Sequence, residues 1–147
     1  YIFFVFCNFS YEIYKSESPV LFLYVISICF FTDIGGYVFG KTIGGKKLSK
    51  ISPNKTISGT VGSFIFSIIP LMLILNFDNL ELNLINIFFC LFISLISQLG
   101  DLFISFIKRK AKIKDTGNIL PGHGGFLDRV DGIIFAVPFS YFLLRLI

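Results

Sequence analysis

Residues 84–107, LINIFFCLFISLISQLGDLFISFI, decide the fold. The run carries one charged residue, Asp101, and is long enough as a helix to cross a bilayer core, which needs about 20 residues. Its polar residues are not scattered. Ser94, Gln98, Asp101 and Ser105, continued by Lys108, are spaced four, three, four and three. At about 100° per residue they fall in a stripe about 80° wide. A polar stripe on an otherwise apolar helix lines a cavity or a helix–helix contact, because lipid solvates none of those groups. The expected fold class is therefore all-α, a polytopic transmembrane helix bundle with its chemistry in the connecting loops. Asp101 is the first candidate metal ligand outside those loops.

The helix leads into a dense polar island, 105–131, SFIKRKAKIKDTGNILPGHGGFLDRVD. Lys108, Arg109, Lys110, Lys112, Lys114 and Arg129 stand among Asp115, Asp128 and Asp131, together with His123, the only histidine. A solvated loop whose cations set membrane orientation accounts for the lysines and arginines. It leaves unexplained Pro121-Gly122-His123-Gly124-Gly125 and the Asp128-Arg129-Val130-Asp131 that follows. Glycines let backbone approach a ligand closely. Asp128 and Asp131 share a face if their segment is helical, and two carboxylates so placed repel unless a cation lies between them. Hard oxygen ligands beside lysine and arginine suit Mg²⁺ bound together with substrate phosphates.

Outward from this island the chain reads as spans and loops. Residues 19–40 form a span with Asp33 inside it, and a carboxylate at that depth normally faces protein or water. Gly36 and Gly40 have the spacing that lets helices pack closely. The string GGYVFGKT at 35–42 matches the P-loop pattern literally, but a spanning segment precedes it where a buried strand is needed, so that reading is rejected. Residues 41–59 hold five lysines and no acid. There Ser52, Lys55 and Thr56 supply one charge and two hydroxyls suited to a phosphate. A flexible basic loop near anionic headgroups is the competing reading. Residues 60–76 read as a span with Pro70 a kink point, 77–83 as a short acidic connection, and 132–147 as a last apolar helix. At the other end, 1–9 read as the tail of a spanning helix and 10–18 as a polar connection.

Composition agrees. The 147 residues are 54% hydrophobic and 18% aromatic, with twenty phenylalanines, no tryptophan and a mean hydropathy of +0.82, a lipid-facing balance rather than that of a soluble core. Cys7, Cys29 and Cys90 lie in apolar runs without metal-ligand spacing and read as small hydrophobes. Eleven of the thirteen lysines and arginines fall in 41–59 and 108–131, two loops separated by two spans. The positive-inside rule puts both loops on the cytoplasmic side, where they converge on one site. Basic loops also bind nucleic acid, but no stacking platform or separate domain supports that here.

The pattern Ser105-x-x-Lys108-Arg109, Lys114-Asp115, Gly117, Leu120-Pro121, His123-Gly124-Gly125-Phe126 and Asp128-Arg129-Val130-Asp131 resembles the signature of the phosphatidate cytidylyltransferases, also called CDP-diacylglycerol synthases, without departure from Ser105 to Asp131. The Gln98-Leu99-Gly100-Asp101 stretch agrees with it. A second family motif is similar to Ser52–Gly59, except that Ser58 stands where an acid is common, which leaves that acid's role without a counterpart. The resemblance implies an integral membrane enzyme of the bacterial inner membrane, its site facing the cytoplasm, that transfers CMP from CTP to phosphatidate. It implies Asp101, Asp128 and Asp131 as ligands of Mg²⁺, with a second cation left open, and Lys108, Arg109, Lys114 and Arg129 as partners of the phosphates. His123 is assigned to a phosphate or to proton transfer. Ser52, Lys55, Thr56, Ser105, Gly124 and Gly125 are assigned to substrate binding. The expected partners are CTP, phosphatidate and the lipid bilayer, with a second copy of the chain carried as a candidate and nucleic acid excluded. Because the chain opens on Tyr1 in mid-hydrophobic sequence, residues 1–147 are expected to be the C-terminal catalytic membrane portion of a longer protein. Three alternatives stay in play: a membrane cytidylyltransferase acting on another lipid phosphate, a CDP-alcohol phosphotransferase, whose aspartate string is absent, and an ion-transporting or scaffold protein using Asp33 and Asp101 as a cation path.

Overall fold

Helix boundaries fall where side chains can satisfy the free backbone groups of a helix end. In a computed structural model describing residues 1–16, 18–49, 52, 55–74, 82–113 and 127–146 (backbone only at 16 and 127–129), six helices follow one another: α1 Ile2–Ser16, α2 Pro19–Thr42, α3 Ile57–Phe66, α4 Ile69–Ile74, α5 Leu84–Lys110 and α6 Leu127–Leu144. Ser18 caps α2 by accepting from the Leu21 amide at 3.1 Å, with Pro19 in the first turn, where its missing N–H costs nothing. Thr56 caps α3 through the Gly59 amide at 3.1 Å, and Asn83 caps α5 through the Asn86 amide at 2.8 Å. At its far end α5 carries Lys108, Arg109 and Lys110 in the last turn, favourable against the negative end of the helix dipole. The chain leaves through Lys112 in the left-handed region (φ +58°), with Ile113 N–H on the Lys108 carbonyl and Lys112 N–H on that of Arg109.

The all-α expectation holds. Among the described residues there is no strand, only an isolated antiparallel bridge between Lys47 and Thr56 that closes the basic loop. Three segments are long and apolar enough to cross a membrane: 19–42, 57–74 (α3 and α4 together) and 84–110. The chain is an integral membrane protein by that measure. Large apolar side chains such as Leu23, Phe30, Val61, Leu95, Leu99 and Phe103 point outward, where lipid can cover them. The GGYVFGKT string lies inside α2, which runs to Thr42, so the phosphate-binding turn of a P-loop is absent there.

Pro70 does more than kink its span. With no N–H to donate, and a ring that crowds the carbonyl four residues back, it stops α3 at Phe66. Tighter bonds from Ile68 N–H to the Ile65 carbonyl (3.4 Å) and from Leu71 N–H to that of Ile68 (3.1 Å) bridge the break. Two expected boundaries need correction. Residues 10–16 are not a connection: α1 continues through them, with Ser10 Oγ donating to the Phe6 carbonyl at 2.7 Å and Ile13 wholly buried. One inward residue is enough to dock this polar turn, and Phe9 adds ring contacts with Tyr141 (5.1 Å) and Phe142 (5.2 Å) of α6. The last helix begins at Leu127, ahead of the expected 132, so Asp128 and Asp131 stand three apart on one helix. The expected connection 77–83 lies outside the described residues except at its last two positions.

Small residues bring the helices together at the level of the site. A methyl group added at Gly35 would lie 2.5 Å from the Gly62 carbonyl oxygen, and one at Gly62 would strike Phe39 at 2.4 Å. Gly36 and Gly40 face Ser63 and Thr56 in the same seam, as their spacing suggested. Gly132 abuts Ser97 and Gly100 abuts Phe135, which sets α6 against α5. Toward the other end lies the apolar core of Tyr24, Val25, Ile28, Phe89, Cys90, Ile93 and Val137, with the Tyr24 hydroxyl 2.9 Å from Cys90 Sγ.

Candidate active site

Close packing of α2 on α3 leaves α5 as the third wall of a cavity of about 510 Å³. From α2 it receives Asp33, Gly36 and Tyr37, and from the loop ahead of α3 it receives Ser52, Lys55 and Thr56. Gly59, Thr60 and Ser63 of α3 and Gln98 and Asp101 of α5 complete the lining. The polar stripe of α5 accordingly turns inward along its length. Ser94, fully buried, accepts from Thr32 Oγ1 at 3.0 Å and from Gln98 Nε2 at 3.3 Å. Ser105 Oγ donates to Asp101 Oδ1 at 3.4 Å.

The charges gather where α2, α5 and α6 meet the basic loop. Lys55 forms an ion pair with Asp101, and Lys108 stands 3.7 Å from Asp131. Asp131, buried against α5, also interacts directly with Asp101 and accepts from the Gly132 amide at 2.9 Å. Asp33 lies within electrostatic reach of both Asp101 and Lys55. Three carboxylates from three helices thus share two ammonium groups. Asp131 is buried, Asp101 half-buried and Asp33 exposed, and like charges gathered this closely repel unless cations compensate.

Of the eight expected site residues with described side chains, seven meet here. Asp101, Asp131, Lys55 and Lys108 form the cluster, Ser105 supports Asp101, and Ser52 and Thr56 line the cavity. Thr56 has a structural task besides, since its hydroxyl caps α3, while Ser58 bonds the Gly44 carbonyl and Thr56 Oγ1 and so ties the loop to the helix start. Arg109 is not brought in: it is exposed and reaches the Ile113 carbonyl at 3.5 Å. Lys114, His123, Gly124 and Gly125 lie outside the described residues, as do the side chains of Asp128 and Arg129. Among the described residues no group of three His, Cys, Asp or Glu is drawn tightly enough to hold a metal ion. Asp101 and Asp131 are a facing pair of hard oxygen donors, a set that fits Mg²⁺ better than a softer ion. Sequence reasoning did not assign Gln98, Tyr37, Thr60 or Ser63 to the site and left the role of Asp33 open. For Gln98 the signal was its place on the stripe, and for Asp33 its depth in a span. Thr60 and Ser63 carry no signal beyond helical spacing.

Fold and site together define a class: a polytopic helical membrane protein whose polar cavity ends in a carboxylate–lysine cluster. Over residues 1–147 the chain matches the family model described as the Cytidylyltransferase family, and it belongs to that family. A phosphatidate cytidylyltransferase of Bacillus subtilis (strain 168) is 43% identical over 125 residues, 84% of this chain and 46% of the relative. One of Staphylococcus aureus (strain COL) is 45% identical over 132 residues, 88% of this chain and 51% of the relative. The Staphylococcus haemolyticus (strain JCSC1435) protein of the same name is 42% identical over 132 residues, with the same coverage of 88% and 51%. The chain spans about half the length of the curated relatives it matches.

Proposed function

We propose that this chain is the C-terminal, catalytic membrane portion of a phosphatidate cytidylyltransferase. The reaction joins phosphatidate to CTP: an oxygen of the lipid phosphate attacks the α-phosphorus, the bond from that phosphorus to the bridging oxygen breaks, and pyrophosphate leaves with CDP-diacylglycerol as product. The observation that carries this reading is the cluster of Asp33, Asp101 and Asp131 with Lys55 and Lys108 at one end of the cavity. Membership of the family and the names of the relatives support it.

No side-chain nucleophile is needed, so the chain's work is positioning and charge neutralisation. Lys55 exchanges its carboxylate partner for a phosphate oxygen when the nucleotide enters, and Lys108 does the same from the end of α5. Ser105 holds the Asp101 carboxylate in orientation. Asp101 and Asp131, with Asp128 from the same helix as Asp131, would hold Mg²⁺, with a second cation optional, and the bound ion supplies charge neutralisation on the phosphate oxygens. Lys114, Arg129, His123 and the glycines Gly124 and Gly125 are assigned to the phosphates by their place in the motif. Orientation follows the positive-inside rule, with both basic loops and the site at the cytoplasmic face of a bacterial inner membrane.

The test uses radiolabelled CTP and phosphatidate vesicles. Membranes containing this chain, alone and as a chimera replacing the matching half of the Bacillus subtilis relative, are assayed for labelled lipid. Labelled CDP-diacylglycerol from the chimera is the expected result. A chimera that inserts in the membrane but transfers no label would overturn the proposal.

A further inference from the structure

The inner end of the cavity has an unusual hydrogen-bond inventory. Ser63 Oγ donates its hydrogen to the Thr32 carbonyl at 2.8 Å, and Thr60 Oγ1 donates to that of Thr56 at 3.2 Å. Gln98 commits Nε2 to Ser94, whose oxygen also receives Thr32 Oγ1. Each of these three lining groups thus gives a hydrogen to the protein. Lone pairs remain on the two hydroxyl oxygens, on the Gln98 amide oxygen and on the Asp33 carboxylate, all of which line the cavity. Asp33 follows Thr32 in the chain, and Gln98 stands one turn beyond Ser94. Both open onto the cavity just past the Thr32–Ser94 bond. Asp33 is where this lining meets the charge cluster, within electrostatic reach of Lys55 and Asp101.

From this the geometry points to Gln98 as a specificity-determining residue: its amide oxygen, turned toward the cavity by Ser94 and Thr32, selects a nucleobase bearing an exocyclic amino group. The inference rests on the cytidylyl-transfer reading above. Cytosine brings an amino group whose two hydrogens match the Gln98 amide oxygen and the Asp33 carboxylate. Uracil brings a carbonyl oxygen to the same place, where it faces the lone pairs of both acceptors. A site built around a hydrogen bond rejects a ligand that lacks the partner far more strongly than an apolar pocket rejects a change in size, because its buried polar groups are left unmatched. Thr32 and Ser94 act as positioning residues, holding the amide with its oxygen toward the ligand.

The experiment compares CTP, UTP and pyrimidin-2-one ribonucleoside triphosphate, which lacks the amino group, as donors to phosphatidate in the chimera. Wild type is expected to favour CTP over both alternatives. Gln98→Met, similar in volume but without the acceptor, should lower kcat/KM for CTP roughly 10- to 100-fold while changing the pyrimidinone analogue less than about threefold. Ser94→Ala, which frees the amide to turn over, should narrow the same ratio part of the way. It is the deciding variant if Gln98→Met fails to accumulate. Equal losses on CTP and the analogue, or an unaltered ratio in Ser94→Ala, would overturn the assignment while leaving cytidylyl transfer standing. Wild type that transfers from none of the three donors would instead remove the reaction itself, and the base-reading role with it.

Discussion

Lys55, in the basic loop ahead of α3, pairs with Asp101, which stands in the middle of the polar stripe of α5. The contact joins the two halves of the site. It also puts a cation against a carboxylate that interacts with both Asp33 and Asp131.

Neutralising Lys55 should be felt twice, since it removes a phosphate partner and leaves the acidic cluster short of a counter-charge. Lys55→Met is expected to reduce kcat/KM for CTP by roughly 10- to 100-fold, the range for a charge-assisted hydrogen bond. The double variant Lys55→Met/Asp101→Asn should be no worse than Asp101→Asn alone, because the pair acts as a unit. Additive losses in this cycle would show that the two side chains work separately.

Asp131 has the most enclosed carboxylate of the cluster. Asp131→Asn keeps its shape and its bond to the Gly132 amide but removes the charge that Lys108 and a bound cation need. Transfer of CMP to phosphatidate should be lost with membrane insertion unchanged, measured by labelled-lipid yield and by protease protection of the loops. In the unmodified protein, EDTA should abolish turnover and added Mg²⁺ restore it. Wild-type turnover in Asp131→Asn, or full activity in EDTA, would remove the carboxylates' proposed role.

Lys108 and Arg109 are neighbours in the motif but part company in space, one beside Asp131 and the other on the Ile113 carbonyl. Lys108→Gln should cost more than about tenfold in kcat/KM, as loss of a charged partner does, whereas Arg109→Gln should cost less than about threefold, as expected of an exposed side chain. Equal and large losses would mean that Arg109 swings into the cluster when the nucleotide binds.

How much of this was legible depended on range. Spans α2 and α5 follow from length and apolarity, and the inward turn of Ser94, Gln98, Asp101 and Ser105 follows from helical spacing. Pro70 announced the α3–α4 break because its effect is local. By contrast, SYEIYKS reads as a loop on composition, and only the burial of Ile13 among distant residues makes it a helix. Gly36 and Gly40 advertised a close contact, but nothing local says that Gly62 is what Gly35 meets. The same holds for the cluster: Asp101 and Asp131 were marked by chemistry and spacing, while the partnership of Lys55 with Asp101 needs the α2–α3 seam to bring the loop across. Arg109 is the reverse case: motif membership says nothing about which way a side chain leaves a helix end, and here it lies apart from the cluster.

That seam can be tested directly. A methyl group at Gly62 would sit 2.4 Å from the Phe39 ring and 2.7 Å from the Gly35 carbonyl, and the latter is backbone that cannot rotate away. Gly62→Ala must therefore push α3 from α2, and overpacking of this kind costs about 1–3 kcal/mol. Because Thr56, next to Lys55, caps α3, the shift should also carry that lysine away from Asp101. The expected outcome is a lower unfolding midpoint in detergent together with a raised KM for CTP. Leu99→Ala, on the outward face of α5, should change neither. If Gly62→Ala lost stability but kept its KM, the seam would serve the fold alone, and the placement of Lys55 would have to come from the loop's own bonds, Lys47–Thr56 and Ser58 to the Gly44 carbonyl.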